Sequence, residues 1–234
     1  LGECLEKDWS EMILKRKFQR ITDVVKQVGQ GKGPDILILQ EVENKIVLER
    51  WRDEYLKNLN YQTIALVEGP DERGIDTAVI SRLPLMQPPQ LHQIDLTSPE
   101  DPKARPTRGI LETHLRLPNG DRLAVFAVHF PSQGAPTPAR IKALEVLQQA
   151  TAALPPHTQI VVGGDFNISA KEDWKEKLFD KYIAPKFAIS HKIGCQDCVG
   201  TIYFPPDKTW SFFDVLLFAP EMAEIARTFF DRSW

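Results

Sequence analysis

The stretch "VVGGDFNIS", residues 161–169, decides the reading of this chain. Upstream it begins as "TQIVVGG", a run of residues that suit a buried strand. The run then meets Gly163 and Gly164, which let a backbone turn tightly or let another chain segment approach closely. Asp165 and Asn167 follow, two positions apart. In an extended or turning backbone such positions can project to one side. A carboxylate and an amide placed so can share one substrate or one hydrated metal. They can equally form an Asx turn that merely closes a loop, and the spacing leaves both readings open.

The same design recurs at "PDILILQEVEN", residues 34–44. Residues 35–40 read as a strand buried on both faces, ending at Glu41. A hard divalent cation takes one or two carboxylates together with water and phosphate oxygens, which suits Glu41. Glu41 is also where an acid would favour the N-terminus of a following helix. His129 ends the strand in "DRLAVFAVHF", residues 121–130, as either a structural histidine or a functional one. Asp214 lies inside "SFFDVLLFAP", residues 211–220. A carboxylate in so apolar a strand calls for a partner, because an unpaired buried charge is costly; a histidine or an arginine is the natural one.

Around these strands the pattern alternates. Apolar periodicity predicts helices over 11–28, 44–59 and 137–154, the last with Thr137 as N-cap and Pro138 at the first helical position, and a short helix over 171–180. Strands are predicted at 61–68, 75–82, 108–117 and 121–130, the last two joined by "PNG" as a hairpin. The proline-rich stretch from Pro84 to Pro106 reads as a long surface loop. Hairpins mixed with helices predict an α/β protein with two packed sheets covered by helices, not a doubly wound parallel sheet.

The chain has 234 residues, a length that fits one domain over 1–234 with a sizeable core. Hydrophobic content of 42% and charged content of 26% are those of a soluble globular protein. A formal net charge of −3 excludes a strongly basic nucleic-acid binder but leaves room for a local basic groove. The basic run "KRKFQR" at 15–20 reads as the solvated face of a helix. No run of 18 apolar residues is present, so no membrane span is expected, and Leu1 opens no recognisable signal peptide. Three cysteines do not make a disulfide framework. Cys195 and Cys198 can be a local disulfide, half a zinc site or two ordinary thiols.

Taken together, "DILILQEVEN", "GIDTAVISRLPL", "RLAVFAVHFPS", "IVVGGDFNIS" and "TWSFFDVLLFAP" resemble the endonuclease/exonuclease/phosphatase superfamily, in the family's order and over about residues 12–220. The resemblance implies a four-layer α/β sandwich with a metal site at one end of the packed sheets. It implies a metal-dependent phosphoesterase acting on phosphodiesters or phosphomonoesters, nuclease-like, using Mg²⁺ or alternatively Mn²⁺ or Ca²⁺. Glu41 matches the family's metal-binding glutamate. Asp165 matches an aspartate that activates the attacking water, and Asn167 its partner on the phosphate or nucleophile. His129 matches a histidine that hydrogen-bonds the scissile phosphate. Asp214 matches the aspartate that orients a second, C-terminal histidine. Arg108 lies where some relatives carry a phosphate-contacting arginine. The inositol-polyphosphate 5-phosphatase signature is absent. Nucleic acid is among the expected partners, and a monomer is expected.

Two departures stand beside the resemblance. The family opens with an asparagine-bearing strand, and only "LGECLEKDWSEM" precedes the first helix here. The family closes with an Asp-His pair, and no histidine follows His191. These departures predict a sequence incomplete at both termini, a sheet short of one strand, and weak hydrolysis by these residues alone. The alternative is a catalytically weak or inactive binding module on the same scaffold. In either case Asp214 is expected beside Glu41, His129, Asp165 and Asn167 in one cleft.

Overall fold

A computed structural model describes residues 10–97, 104–194 and 197–222. The elements in chain order are α1 (Glu11–Gln27), β1 (Ile36–Val42), α2 (Lys45–Tyr55), β2 (Thr63–Leu66), β3 (Asp76–Ser81), β4 (Gln90–His92), β5 (Ile110–Arg116) and β6 (Arg122–His129). There follow α3 (Thr137–Ala152), β7 (Gln159–Asp165), α4 (Ala170–Glu176), β8 (Ala188–Ile189), α5 (Ser190–Ile193), β9 (Ile202–Phe204), β10 (Thr209–Ser211) and β11 (Asp214–Phe218). Strands β1-β3-β2 form an antiparallel three-stranded sheet, and β4-β5-β6-β7-β11-β8 form a six-stranded mixed sheet. Among the described strands only β6 and β7 run parallel, joined across α3.

Period-two alternation builds the layers. On β6, Leu123, Val125 and Ala127 face the three-stranded sheet and meet Ala65 and Val79. Ala124, Phe126 and Val128 face the other way, onto Ala143, Leu144 and Leu147 of α3. A third apolar layer packs Phe18 and Val25 of α1 and Leu48 and Trp51 of α2 on Ala78 and Ile80. The buried Trp51 indole donates to Thr22 at 2.9 Å, so the two outer helices are also pinned by a polar contact. The architecture is thus the expected four-layer sandwich of helix, sheet, sheet and helix.

Several local expectations change. The stretch 84–106 is not all loop, because β4 pairs with β5 at Gln90, Leu91 and His92. Three residues between prolines are too short for the periodicity of a strand to show. β1 is half-buried rather than buried on both faces, because it lies at an edge of its sheet. Pro136, not Thr137, occupies the α3 N-cap, with no side-chain cap bond. The basic run 15–20 is solvated as expected, apart from the buried Phe18. Cys198 is disulfide-bonded, which removes the free-thiol reading for it; Cys195 lies outside the described residues. Among the described residues no helix is long and apolar enough to cross a membrane.

Candidate active site

Strand register assembles the site. His129 pairs with Asp165 across the parallel β6–β7 ladder, and Asp165 pairs with Asp214 across the antiparallel β7–β11 ladder. The three residues are one rung on three neighbouring strands. Each stands on the odd-numbered or even-numbered set of its strand that faces the other sheet, as Leu216 and Gly163 do. The two sheets therefore meet at this rung.

The two glycines of "VVGGDFNIS" divide between close approach and backbone conformation. A Cβ on Gly163 would lie 2.7 Å from Ile38 Cδ1 and 2.7 Å from Leu216 Cδ2, so its missing side chain is what lets β1 approach β7. Gly164 has φ +137°, and a Cβ there would lie 2.0 Å from the Val128 carbonyl oxygen. Only glycine fits either position, the first for packing and the second for backbone conformation.

The approach of β1 brings Glu41. Its strand pairing shifts register between Leu39 and Val42, and Glu41 sits in that bulge with φ 56°. Glutamate rarely adopts this left-handed conformation, and a bulge is a device that re-aims a side chain at a strand end. Glu41 is exposed. Asn167 is also left-handed, at φ 52°, and is buried. Its backbone N–H donates to Asp165 Oδ1 at 2.7 Å, so the Asx turn exists. Its side-chain Nδ2 donates to the Phe130 carbonyl at 3.0 Å. One Asp165 oxygen thus closes the turn while Oδ2 faces His129 Nε2 at 3.6 Å.

Arg108 is buried and joins the same spot. It donates Nη2 to the Phe130 carbonyl at 3.0 Å and Nη1 to Asp71 Oδ2 at 2.9 Å. Asp71 in turn accepts from Arg73 through Nε at 3.1 Å and Nη2 at 3.0 Å. Burial pushes the Asp71 carboxyl up, but the bonds from Arg73 and Arg108 outweigh it and hold it below the ordinary range. Asp214 differs from its expectation. It is exposed, so its charge is hydrated rather than buried, and among the described residues its carboxylate takes part in no hydrogen bond. Strand apolarity misled here because the residue is the first of β11, at the open end of the rung.

The electrostatics of the rung are unfavourable. Burial, then repulsion from Asp214 and Glu41, pushes the Asp165 carboxyl up to about 6, against the opposing Asn167 N–H and Arg108. Burial, then the positive charges of Arg108 and Arg73, pulls His129 down to about 4. At neutral pH His129 is an uncharged imidazole, and its Nδ1 is buried with no hydrogen-bond partner among the described residues. At 3.6 Å it forms neither a hydrogen bond nor an ion pair with Asp165.

No group of three or more His, Cys, Asp or Glu side chains among the described residues is arranged to enclose a metal ion. A hexahydrated-type cation such as Mg²⁺ needs only one or two carboxylates. The donor set fits it: hard oxygens of exposed Glu41 beside carboxylates whose mutual repulsion a positive charge would relieve.

Sequence reasoning missed Asp71 and Arg73, and it missed Gln133, Arg140 and Glu172, which brace the loop of Asn167. Arg140 donates to both Glu172 oxygens, at 3.0 and 2.9 Å from Nε and 2.6 Å from Nη2. Gln133 Nε2 donates to Glu172 at 2.9 Å and also to the Asn167 carbonyl. A turn signature, "GPDERG", marks the first pair, since Asp71 accepts from Arg73 N in a second Asx turn. No local pattern marks the second group, in which Glu172 lies 32 residues from Arg140 and 39 from Gln133.

A model of the Endonuclease/Exonuclease/phosphatase family matches residues 4–218. The chain belongs to this family. No curated protein matches it. Among solved structures, an endonuclease/exonuclease/phosphatase from Beutenbergia cavernae DSM 12333 aligns with a TM-score of 0.65 and 16% identity, over 87% of this chain and 58% of that one. D. rerio TDP2, complexed with single strand DNA product, aligns at 0.64 and 16%, over 91% and 79%. A mannosyl-6-phosphatase from Bacteroides thetaiotaomicron VPI-5482 aligns at 0.63 and 15%, over 88% and 78%. At these identities the likeness is one of fold.

Proposed function

We propose that this chain is a single-domain, divalent-metal-dependent phosphoesterase of nuclease-like type, with its site at the His129–Asp165–Asp214 rung. The observation that carries the reading is that rung itself: three polar groups in one register, at the sheet–sheet seam, in a family named for phosphoester chemistry. Proteins of similar fold include D. rerio TDP2, solved with single strand DNA product, and a mannosyl-6-phosphatase, which supports the reaction class and leaves the substrate to experiment.

Glu41 is the residue that would hold the cation. When bound, Mg²⁺ supplies Lewis-acid polarisation of the phosphate and stabilises the leaving oxygen. Asp165, poised near neutrality, accepts the proton of the attacking water through Oδ2, the oxygen not committed to the turn. Neutral His129 donates a ring N–H to a phosphate oxygen as charge builds there. Asn167 orients this pair, and its amide keeps one N–H beyond the bond to Phe130. Arg108, fixed by Asp71 and Phe130, has a buried Nε without a partner among the described residues and lends positive charge to the phosphate. Asp214 remains the position for orienting a histidine.

The test is a Mg²⁺ titration with DNA, RNA, sugar-phosphate and lipid-phosphate substrates in parallel, alongside calorimetry of Mg²⁺ binding to the protein and to Glu41→Gln. Metal-dependent turnover of at least one substrate, with the binding heat lost in the variant, is expected. Unchanged binding heat in Glu41→Gln would remove Glu41 from the site.

A further inference from the structure

The loop between β2 and β3 carries "GPDERGID", residues 69–76. Both of its ends are tied to the site. Asp76 opens β3 and pairs with Val42, the residue after Glu41. Its Oδ1 accepts the Gly69 N–H at 2.8 Å, which closes the loop. A Cβ on Gly69 would lie 2.7 Å from the Arg108 carbonyl oxygen, so the loop packs directly on the Arg108 backbone. The loop therefore reaches from the Glu41 bulge to Arg108.

One carboxylate holds two guanidiniums there. Asp71 Oδ1 accepts Arg73 N at 2.9 Å and Arg73 Nε at 3.1 Å. Oδ2 accepts Arg73 Nη2 at 3.0 Å and Arg108 Nη1 at 2.9 Å. The Asp71 and Arg108 side chains are 7 and 5% exposed, whereas that of Arg73 is 59% exposed. Closing the turn needs only the Arg73 backbone N–H, which any residue but proline supplies. Neutralising Asp71 needs only Arg108. The Arg73 guanidinium is therefore surplus to the fold, since an exposed ion pair adds little stability. Its Nη1 takes part in no hydrogen bond among the described residues. The positive charges that bear on His129 are those of Arg108 and Arg73, and Arg73 also feels Glu41. Both guanidiniums are thus within electrostatic reach of the rung.

We propose that Asp71 is a positioning residue, a role that rests on the phosphoesterase reading: it spaces Arg73 and Arg108 so that one phosphoryl group at the rung meets the charge of both and the free Nη1 donor of Arg73. Arg73 then contacts the substrate, and Asp71 acts through it. The charge of the patch fits this occupant. Two guanidiniums less one carboxylate leave one positive charge, which matches one phosphoryl group even in a chain of net −3. The proposal has a sign that a charge effect alone does not. If Asp71 acted only as a negative charge, it would oppose an anion, and its removal would tighten phosphate binding. As a positioning residue it does the opposite, because its loss frees both guanidiniums to leave the geometry that grips the anion.

The experiment titrates inorganic phosphate into the full chain in EDTA and follows the phosphorus resonance by NMR. Arg73→Ala is expected to weaken phosphate binding about 10-fold or more, the size of one hydrogen bond between charged groups, at an unchanged unfolding temperature. Arg73→Lys, which keeps the charge but not the two-bonded grip on Asp71, should recover only part of it. Asp71→Asn should also weaken binding, although it makes the patch more positive, and Arg73→Ala should then add little in the double variant. Phosphate bound as tightly or more tightly by Asp71→Asn overturns the positioning role. Where Asp71→Asn does not fold, Arg73→Ala decides alone. Phosphate binding that Arg73→Ala leaves unchanged, or no phosphate binding by the parent, overturns the proposal. Hydrolysis in Mg²⁺ separates it from the reading on which it rests. Phosphate binding lost in Arg73→Ala, without metal-dependent turnover by the parent, keeps the two-arginine grip and sinks the hydrolytic reading. Metal-dependent turnover whose KM and kcat neither Arg73→Ala nor Asp71→Asn alters does the reverse.

Discussion

Two polar clusters flank Asn167, and they are built on opposite principles. On one side Arg140, Glu172 and Gln133 form a closed set, in which Arg140 also donates to the carbonyls of Pro131, Ser132 and Ala135. Every charge there has an opposite charge and a full set of hydrogen bonds. On the other side Asp165 faces two further carboxylates, a neutral imidazole and an arginine already engaged elsewhere. Each cluster has buried charged or titratable members, Arg140 and Glu172 in the first and Arg108 and His129 in the second, so burial alone does not separate them. The difference is satisfaction. Selection for stability completes the first kind of cluster, whereas a group held away from its ordinary protonation is what catalysis requires. The satisfied cluster grips the carbonyl of Asn167 and holds still the loop on which the unsatisfied one depends.

The contrast breaks most sharply at Asp165. Asp165→Asn is expected to lower kcat by about 100-fold or more, the scale of losing one preorganised polar contact to developing charge. It should raise stability at the same time. The folded Asp165 titrates near 6, above the ordinary carboxylate value, so its ionised form destabilises the fold. The gain in unfolding temperature should be full above about pH 6, fade as pH falls from about 6 towards about 4, and be absent below about 4, where the carboxyl is protonated in both states. A loss of both activity and stability would place Asp165 with the structural residues. Asn167→Ala should lower turnover as well; near-normal turnover at saturating metal would reduce the Asp165–Asn167 pair to a loop-closing turn.

The satisfied cluster should answer in the opposite way. Glu172→Ala leaves a buried Arg140 uncompensated and is expected to cost about 3–5 kcal/mol, read by chemical denaturation. A smaller effect should follow pH. Burial pushes the Glu172 carboxyl up, but Arg140, Thr137 and Gln133 outweigh it and hold it low. A carboxyl with a lowered folded value stabilises above its unfolded value, about 4.3, and that contribution disappears as pH falls through the folded value. The acid-side slope of stability should therefore flatten in Glu172→Gln. The smallest effect is expected for Glu41→Gln, an exposed position with no described hydrogen bond: stability within about 0.5 kcal/mol of the parent, measured in the absence of divalent cations. A larger loss would mean that Glu41 supports the bulge rather than the site.

The layers of the fold were legible in the sequence because they follow from periodicity and from hairpin turns, and "LAVFAV" alternates visibly between two cores. The strand-end residues Glu41, His129, Asp165 and Asn167 were legible for the same reason. The rung itself was not. That His129, Asp165 and Asp214 stand in one register depends on which strands become neighbours, and β11 pairs with β7 from 49 residues away at the rung. Asp214 was read as buried because its neighbours in sequence are apolar, yet the exposure of a strand residue is set by where the ladder ends. The short strand β4 lay hidden among prolines, and the Arg140–Glu172 pair had no local signature at all.

The most direct test is the initial rate of Mg²⁺-dependent phosphodiester hydrolysis by the protein and by Asp165→Asn, at saturating metal and the same pH, with folding of both confirmed. The account predicts turnover by the parent that is abolished by EDTA and at least about 100-fold lower in the variant. Equal rates in the two proteins, or rates in the parent that EDTA leaves unchanged, would contradict it.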